Sequence, residues 1–280
     1  MKKNNFEEIF NLKNKNIVIT GSAGLLGTQY ALTLSSAGAN VILLDLDGKK
    51  NERLSKRIKL KFKTNPKSYQ VDITSKNELL ELKNNILQDY DTIYGLINNA
   101  ALTNSKSKGK LSQLNNLKTV SNFEDFPSEL WKISLDVNLT SVFLCSQIFG
   151  KEMQKNKQGV IVNIASTYGL VGADQRIYGN SKLNSPVSYA ASKGAIVNLT
   201  RYLAAYWHRQ NIRVNTLSPG GVKDEKYQNK VFIKKYSEKT ILGRMAEKTE
   251  YNGAILFLMS KASSYMTGAN LVVDGGWTAW

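Results

Sequence analysis

A short apolar strand running directly into closely spaced glycines constrains this chain more than any other stretch. Asn16-Ile17-Val18-Ile19-Thr20 reads as a buried strand, and Gly21-Ser22-Ala23-Gly24-Leu25-Leu26-Gly27 follows without a spacer. A helix is predicted from there to about residue 37, with Gly38 as its stop. Strand, glycine turn and helix in that order make a phosphate-binding turn. Glycines let main-chain amides approach a pyrophosphate, and the helix N-terminus adds partial positive charge. Gly21, Ala23, Gly24, Leu25, Leu26 and Gly27 are therefore expected to line a bound dinucleotide. The second strand, 40–44, ends at Asp45, about 20 residues past the glycines, where an acid would accept hydrogen bonds from adenosine ribose hydroxyls. A carboxylate there would repel a 2′-phosphate, so NAD is expected over NADP. The alternative for Asp45 is a helix cap or turn residue.

The rest of the chain repeats the alternation. Further strands are predicted at 68–71, 92–97, 159–164, 212–217 and 270–273, separated by helices over about 49–61, 75–88, 127–153, 188–210 and 247–260. That pattern predicts an α/β fold: a Rossmann-like, doubly wound parallel sheet with helices on both faces. Ligands then collect beyond the carboxyl ends of the strands. Residues 1–15 form a polar N-terminal arm and 16–280 one domain, a length ordinary for a single α/β unit. Stretches 102–125 and 169–187 read as loops, and 223–240 as a basic amphipathic segment; 169–187 and 223–245 are the expected substrate loops.

The charge of +16 raises the question of nucleic acid. No zinc-finger spacing, RNA-recognition aromatic signature or helix-turn-helix pattern accompanies it, so nucleic acid is not expected as a partner. An anionic small substrate would make better use of the positive field. No apolar run approaches the roughly 20 residues that span a bilayer, and Met1–Glu8 lacks the apolar stretch of a secretory signal. A cytoplasmic protein without membrane contact is expected. The single cysteine, Cys145, sits in an apolar run and reads as core, and the single histidine, His208, lies on an exposed helix turn; no metal is expected.

Tyr189 and Lys193 stand four positions apart, which on a helix stacks them on one face. Free phenol titrates near pH 10, and an adjacent ammonium would stabilise the phenolate and fit the tyrosine for proton transfer. Alone the pair is weak, since such spacings arise on many amphipathic helices.

The whole set of motifs resembles the short-chain dehydrogenase/reductase family, in its shorter single-domain branch. The resemblance rests on the glycine turn, Asn98-Asn99-Ala100, Asn138, Ser166, Tyr189 with Lys193, Pro219-Gly220 and Asp274-Gly275-Gly276, in that order from Asn16 to Trp280. It implies an NAD-dependent oxidoreductase interconverting a secondary alcohol and a ketone. Tyr189 would be the general acid or base, Lys193 would lower its pKa and hold ribose hydroxyls, and Ser166 would orient the reacting oxygen. Asn138 would hold a water that completes a proton path, or would simply be a buried asparagine bonded to main chain. Asp72 and Ile73 would contact adenine, Asn99 and Ala100 the cofactor, and Pro219, Gly220 and Val222 the nicotinamide, while Asn98 would tie neighbouring strands. A homodimer or homotetramer is implied, through the helices at 127–153 and 188–210 and the C-terminal strand.

Three departures from the family pattern stand out. Leu25 occupies a position usually held by glycine, Asp224 stands where a hydroxyl residue is usual, and Ser166 and Tyr189 are 23 positions apart, a long gap. The extra residues around 174–178, with the Trp277 to Trp280 ending, resemble oxidoreductases of surface-sugar and flagellin-glycan clusters. A sugar or sugar-phosphate-like substrate is implied, with Arg176, Lys182 and Arg244 as candidate anion ligands. The alternatives are a 3-oxoacyl thioester reductase and a nicotinamide-nucleotide sensor without turnover.

Overall fold

The computed structural model describes residues 6–102, 122–180 and 184–280. Among them, seven strands build one sheet in the order β3-β2-β1-β4-β5-β6-β7. They are β1 Asn16–Thr20, β2 Asn40–Asp45, β3 Lys67–Gln70, β4 Gly95–Asn98, β5 Gly159–Ile164, β6 Ile212–Pro219 and β7 Asn270–Val273. Every neighbouring pair is parallel. The strand order reverses between β1 and β4, which opens a crevice beyond their carboxyl ends.

β1, β4 and β5 are buried along their whole length, as expected of parallel strands covered on both faces. Alternate side chains serve opposite layers. Val18, Ile42, Leu96, Ile161 and Val214 pack against α4 (Lys76–Asp89) and α6 (Ser141–Lys155). Ile17, Ile19, Leu43, Ile97 and Val162 pack against α2 (Leu25–Ser36), α3 (Gly48–Phe62) and α9 (Asn252–Met259). The remaining helices are α1 Phe6–Phe10, α5 Ser128–Leu135, α7 Val187–Tyr206 and α8 Lys230–Ser237.

The structure revises several predicted boundaries. The helix expected over 127–153 is interrupted between α5 and α6 by a π-helical turn, Asp136–Thr140, that carries Asn138. β4 begins only at Gly95, and before it the Thr92 carbonyl accepts from the side-chain amide of Asn16 in β1 at 2.8 Å. α7 stops at Tyr206, and the left-handed backbone of Arg209 and Asn211 (φ 59° and 57°) turns the chain toward β6. α9 starts only at Asn252, since Glu250 accepts a hydrogen bond from the Glu247 amide (2.8 Å) and holds 247–250 in a turn. Within 223–240 only α8 is helical, capped by Asn229, whose side chain accepts from the Phe232 amide at 2.8 Å. Most of the expected loop at 102–125, residues 103–121, lies outside the described residues.

By length and hydropathy the continuous helix Ser128–Lys155 could cross a bilayer, but 61% of its most apolar window is buried inside the protein. It is a core helix, and Cys145, fully buried within it, has its thiol pushed up to about 12 by burial.

Candidate active site

The glycine turn is fixed from three sides. Gly21 adopts φ +61°, and a side chain there would come within 2.8 Å of Ala100 Cα. A side chain on Gly27 would overlap the Gly21 carbonyl oxygen and approach Asn99 Nδ2 at 2.9 Å. Thr20 Oγ1 accepts from the amides of Asn99 (3.0 Å) and Ala100 (3.1 Å), while Asn99 Nδ2 donates to the carbonyls of Thr20 and Gly21, both at 3.0 Å. Asn99 and Ala100 thus tie the end of β4 to the turn after β1. Asp45 does the same from β2: its Oδ2 accepts from the Ala23 amide and its Oδ1 from the Asp47 amide, both at 2.9 Å. The buried Asn51 completes the frame, accepting from Ser22 Oγ at 2.7 Å and donating to the carbonyls of Leu43 and Tyr69. Gly24 caps α2 in extended backbone, with only Gly21 O at 3.0 Å from a would-be side chain, so the displaced glycine is compatible with the turn. Leu25 is 42% exposed at the first helical position, and Leu26 packs against the core. Open amides at a helix start beside a glycine cradle, with an acid at the end of β2, fit a dinucleotide.

The Ser166, Tyr189 and Lys193 side chains meet beyond β5. Ser166 follows the strand in extended backbone and opens a tight turn, its Oγ accepting from the Tyr168 amide at 3.2 Å. That turn can lie against α7 only because residue 169 is glycine, since a side chain there would come within 2.6 Å of the Lys193 carbonyl oxygen. Pro186 starts α7, which places Tyr189 in its first turn and Lys193 one turn on. Lys193 is 2% exposed; its Nζ donates to the Ile164 carbonyl at 2.7 Å and lies 5.6 Å from the Tyr189 ring centre.

Burial dominates the charge states of both groups. It raises the Tyr189 phenol above its ordinary range, with a hydrogen bond to Ser166 acting the other way. It lowers the Lys193 ammonium to about 8. The sequence argument made the lysine the main influence on the phenol. Here the opposing pull on the phenol comes from Ser166, and Lys193 spends a hydrogen bond on Ile164. At neutral pH the phenol is protonated, the state that a proton donor to a ketone needs.

Asn138 is fully buried, and its side chain is taken up by the protein. Its Oδ1 accepts from the Leu102 amide at 2.6 Å, and its Nδ2 donates to the Leu102 carbonyl (3.1 Å) and to Ser192 Oγ (3.4 Å). Both amide hydrogens are engaged, by Leu102 and Ser192. Asp72 ends the β3 segment in a turn, its Oδ1 accepting from the Thr74 amide (3.0 Å) and hydroxyl (2.6 Å), with Ile73 buried beside it. Pro219 closes β6. Gly220 donates to the Val273 carbonyl at 2.9 Å, its own carbonyl accepts from the Tyr251 hydroxyl at 3.0 Å, and Val222 bridges to Ala246. Asp224 accepts from the Lys226 amide at 3.2 Å.

The expected anion ligands are differently placed. Arg176 is locked in a two-pronged pair with Asp174 (2.8 and 2.9 Å), and Lys239 reaches the same carboxylate at 2.9 Å. These cations, Arg176 foremost, hold the Asp174 acid well below the usual carboxylate range. Arg244 pairs likewise with Glu250 at 2.6 and 2.7 Å. Lys182 lies outside the described residues. Neither described arginine is an uncommitted cation.

Besides the Lys239–Asp174 pair, aromatic rings join the loops at 169–187 and 223–245. Tyr178 packs on Phe232, Phe232 on Tyr236 and Tyr236 on Trp277, with Ile177 and Met245 buried among them. Burial raises the phenols of Tyr168, Tyr178 and Tyr236, and each of them also feels Tyr189. Sequence reasoning missed this cluster; the aromatic residues at 168, 178, 232, 236 and 277 are too far apart in the chain to show a period. It also missed a buried polar chain across the sheet. Asn98 Nδ2 donates to Asn163 (2.8 Å), Asn163 Nδ2 to Thr200 (2.9 Å), and Thr216 to Thr200 (2.8 Å). Asn98 does tie neighbouring strands, as expected.

A family model described as enoyl-(acyl carrier protein) reductase matches residues 21–278. An NAD-dependent glycerol dehydrogenase of Listeria innocua is 32% identical over 280 residues, covering 98% of this chain and 97% of the relative. A short-chain dehydrogenase of Leptospira borgpetersenii, solved with bound NAD+, superposes with a TM-score of 0.81 at 34% identity, covering 99% of this chain and 97% of that one. A gluconate 5-dehydrogenase of Burkholderia cenocepacia, solved with NADP and tartrate, gives a TM-score of 0.85 at 26% identity, covering 99% and 100%.

Proposed function

Because the chain belongs to the short-chain dehydrogenase/reductase family and is an oxidoreductase acting on CH–OH groups, we propose that it interconverts a secondary alcohol and a ketone on a small sugar-like or polyol substrate, with NAD(H) as its preferred cofactor. The observation that carries this is the meeting of Ser166, Tyr189 and the buried Lys193 beyond β5, beside the glycine turn held by Asp45. NAD(H) bound there would supply or accept the hydride. Gly21 to Gly27 would hold its pyrophosphate and Asp45 its adenosine ribose, with Asp72 and Ile73 toward adenine and Asn99, Ala100, Pro219, Gly220 and Val222 along its length. Asp45, whose carboxylate anchors the Ala23 amide, stands where a 2′-phosphate would meet repulsion, which supports NAD over NADP.

The chain's own residues would perform the proton chemistry. Ser166 would donate to the carbonyl oxygen of a ketone and place it for the Tyr189 phenol, which delivers the proton as charge develops on that oxygen. In the oxidative direction the phenolate would take the alcohol proton. Lys193 would hold ribose hydroxyls, and Asn138 would keep the Leu102 main chain against α7.

The Tyr168 phenol near Tyr189 supports a small hydroxylated substrate, since it brings a ring face and a hydrogen-bonding oxygen. So do the relatives named for glycerol and gluconate. A role in surface-glycan assembly belongs to this proposal, on the insertion around 174–178. An acyl thioester is the second reading, favoured by the apolar side of the Ile177–Trp277 cluster and by the description of the family model.

Purified protein assayed with NAD and NADP against polyols, keto-sugars, nucleotide sugars and a 3-oxoacyl thioester tests all of these. Turnover preferring NADP would overturn the cofactor assignment, and turnover of the thioester alone would overturn the substrate class. Tyr189→Phe should lower kcat by at least about 100-fold while NADH still binds; unchanged kcat would remove Tyr189 from the chemistry. Self-association is part of the same proposal, supported by Phe143, Tyr202 and Tyr206 facing outward on α6 and α7, 46%, 63% and 63% exposed. A monomer by light scattering would contradict it.

A further inference from the structure

Tyr236 is the one side chain of α8 that is buried, and its two ends do different work. The ring stacks on Trp277 at 4.3 Å between centres and leans on Phe232 at 5.9 Å. The hydroxyl leaves this aromatic cluster, accepts the main-chain N–H of Gly221 and shares a hydrogen bond with the Thr167 side chain. Gly221 directly follows Pro219-Gly220, and Thr167 directly follows Ser166. One phenol oxygen therefore joins the segments that continue β6 and β5.

The sheet does not make this connection itself. The β5–β6 pairing ends at Ile164 opposite Leu217, and the last main-chain bond between the two is from the Ala165 amide to the Leu217 carbonyl at 2.8 Å. Thr167 and Gly221 lie past that point. Gly221 is shaped to the bridge as well, since a side chain there would overlap the Tyr236 ring at Cζ. A glycine without a side chain, an amide and a phenol are thus fitted together at one place.

We propose that Tyr236 is a positioning residue: by clamping Gly221 to the Ser166–Thr167 turn, it keeps the nicotinamide-facing segment in register with Ser166 and Tyr189. The inference rests on the dehydrogenase reading above. It gives α8 a role that its basic exposed face does not suggest. Seating of α8 and alignment of the site are then coupled, because the residue that packs the helix also sets the turn.

Tyr236→Phe tests this, since it keeps the ring on Trp277 and removes only the bridging oxygen. The Gly221 amide then loses its acceptor in a half-buried setting, and the Kd for NADH should rise about tenfold. ADP-ribose, which carries adenosine and pyrophosphate but no nicotinamide, should bind as before. Thr167→Val cuts the other arm and should lower kcat at saturating NADH with its Kd unchanged. Equal weakening of NADH and ADP-ribose in Tyr236→Phe would reveal general loosening and overturn the proposal, as would unchanged NADH affinity. Should Tyr236→Phe fail to fold, Thr167→Val decides, and an unchanged kcat overturns the proposal. A wild-type protein that binds NADH but turns over no alcohol or ketone would instead defeat the dehydrogenase reading, and the paired NADH and ADP-ribose titrations would still judge the clamp.

Discussion

Replacing Lys193 by methionine should separate the cost of burying its charge from the use made of it. In the folded protein the ammonium titrates near 8, against an ordinary value of 10.5, because burial penalises the charged form. The difference corresponds to about 3 kcal/mol of destabilisation while the lysine is protonated in both folded and unfolded chains. The sign follows from proton counting. Between the two values the unfolded chain binds more protons than the folded one, so this group makes stability rise with pH. Methionine has similar length and no charge, and lacks that dependence. It also forgoes the 2.7 Å bond to the Ile164 carbonyl; the part of that bond that depends on the ammonium charge is already contained in the folded value near 8, and the rest cancels from a comparison across pH. Urea unfolding of both proteins at pH 6.5 and 9.5 should show the wild type gaining about 2 kcal/mol on the Lys193→Met variant over that interval. A flat difference would mean that the ammonium is not held in a low-dielectric setting. A difference of opposite sign would mean that its partners outweigh its burial.

Two further outcomes follow from other parts of the site. Gly27→Ala should abolish measurable NADH binding and destabilise the fold, because its methyl would overlap the Gly21 carbonyl, whereas Gly24→Ala meets only one atom at 3.0 Å and should be far milder. Equal effects in binding and thermal unfolding would contradict the described turn. Asp174→Asn should loosen the contact between the loops at 169–187 and 223–245. Because its partners depress the acid, that stabilisation is present above the ordinary carboxyl range and is lost only as pH falls through the lowered value. The stability gap between wild type and variant should therefore hold from neutral pH down to about 4 and close below it; closure already between pH 7 and 5 would refute the assignment.

What could be read in the sequence is what local chemistry enforces. β1 and the glycine turn were legible because an unbroken apolar run followed by glycines admits few structures, and Ser75 announced α4 by accepting the Glu78 amide as its cap. The parallel sheet with helices on both faces followed from the alternation of strands and helices, and the expectation that Ser166, Tyr189 and Lys193 act together came from the resemblance. What was missed depends on partners distant in the chain. The π-helical turn at Asp136–Thr140 has no signature in its own residues; it accompanies the bonds of Asn138 to Leu102, 36 positions away. Arg176 and Arg244 were expected as candidate anion ligands, because nothing in sequence shows that Asp174 and Glu250 face them. Gly169 read as one more loop glycine, although its lack of a side chain lets the Ser166 turn touch α7.

The polar chain from Asn98 through Asn163 to Thr200 and Thr216 has a consequence for α7 that apolar packing alone would not provide. Oily contacts are non-directional, so a helix resting on them can roll, and a slip of one residue swings each side chain by about 100°. Thr200 lies 11 positions beyond Tyr189, about three turns away on the same stripe of the helix. Pinning that threonine hydroxyl to both strands fixes the azimuth at which the phenol leaves the helix. Apolar replacements of similar size at Asn163 and Thr200 could then leave a stable fold whose tyrosine points in no single direction.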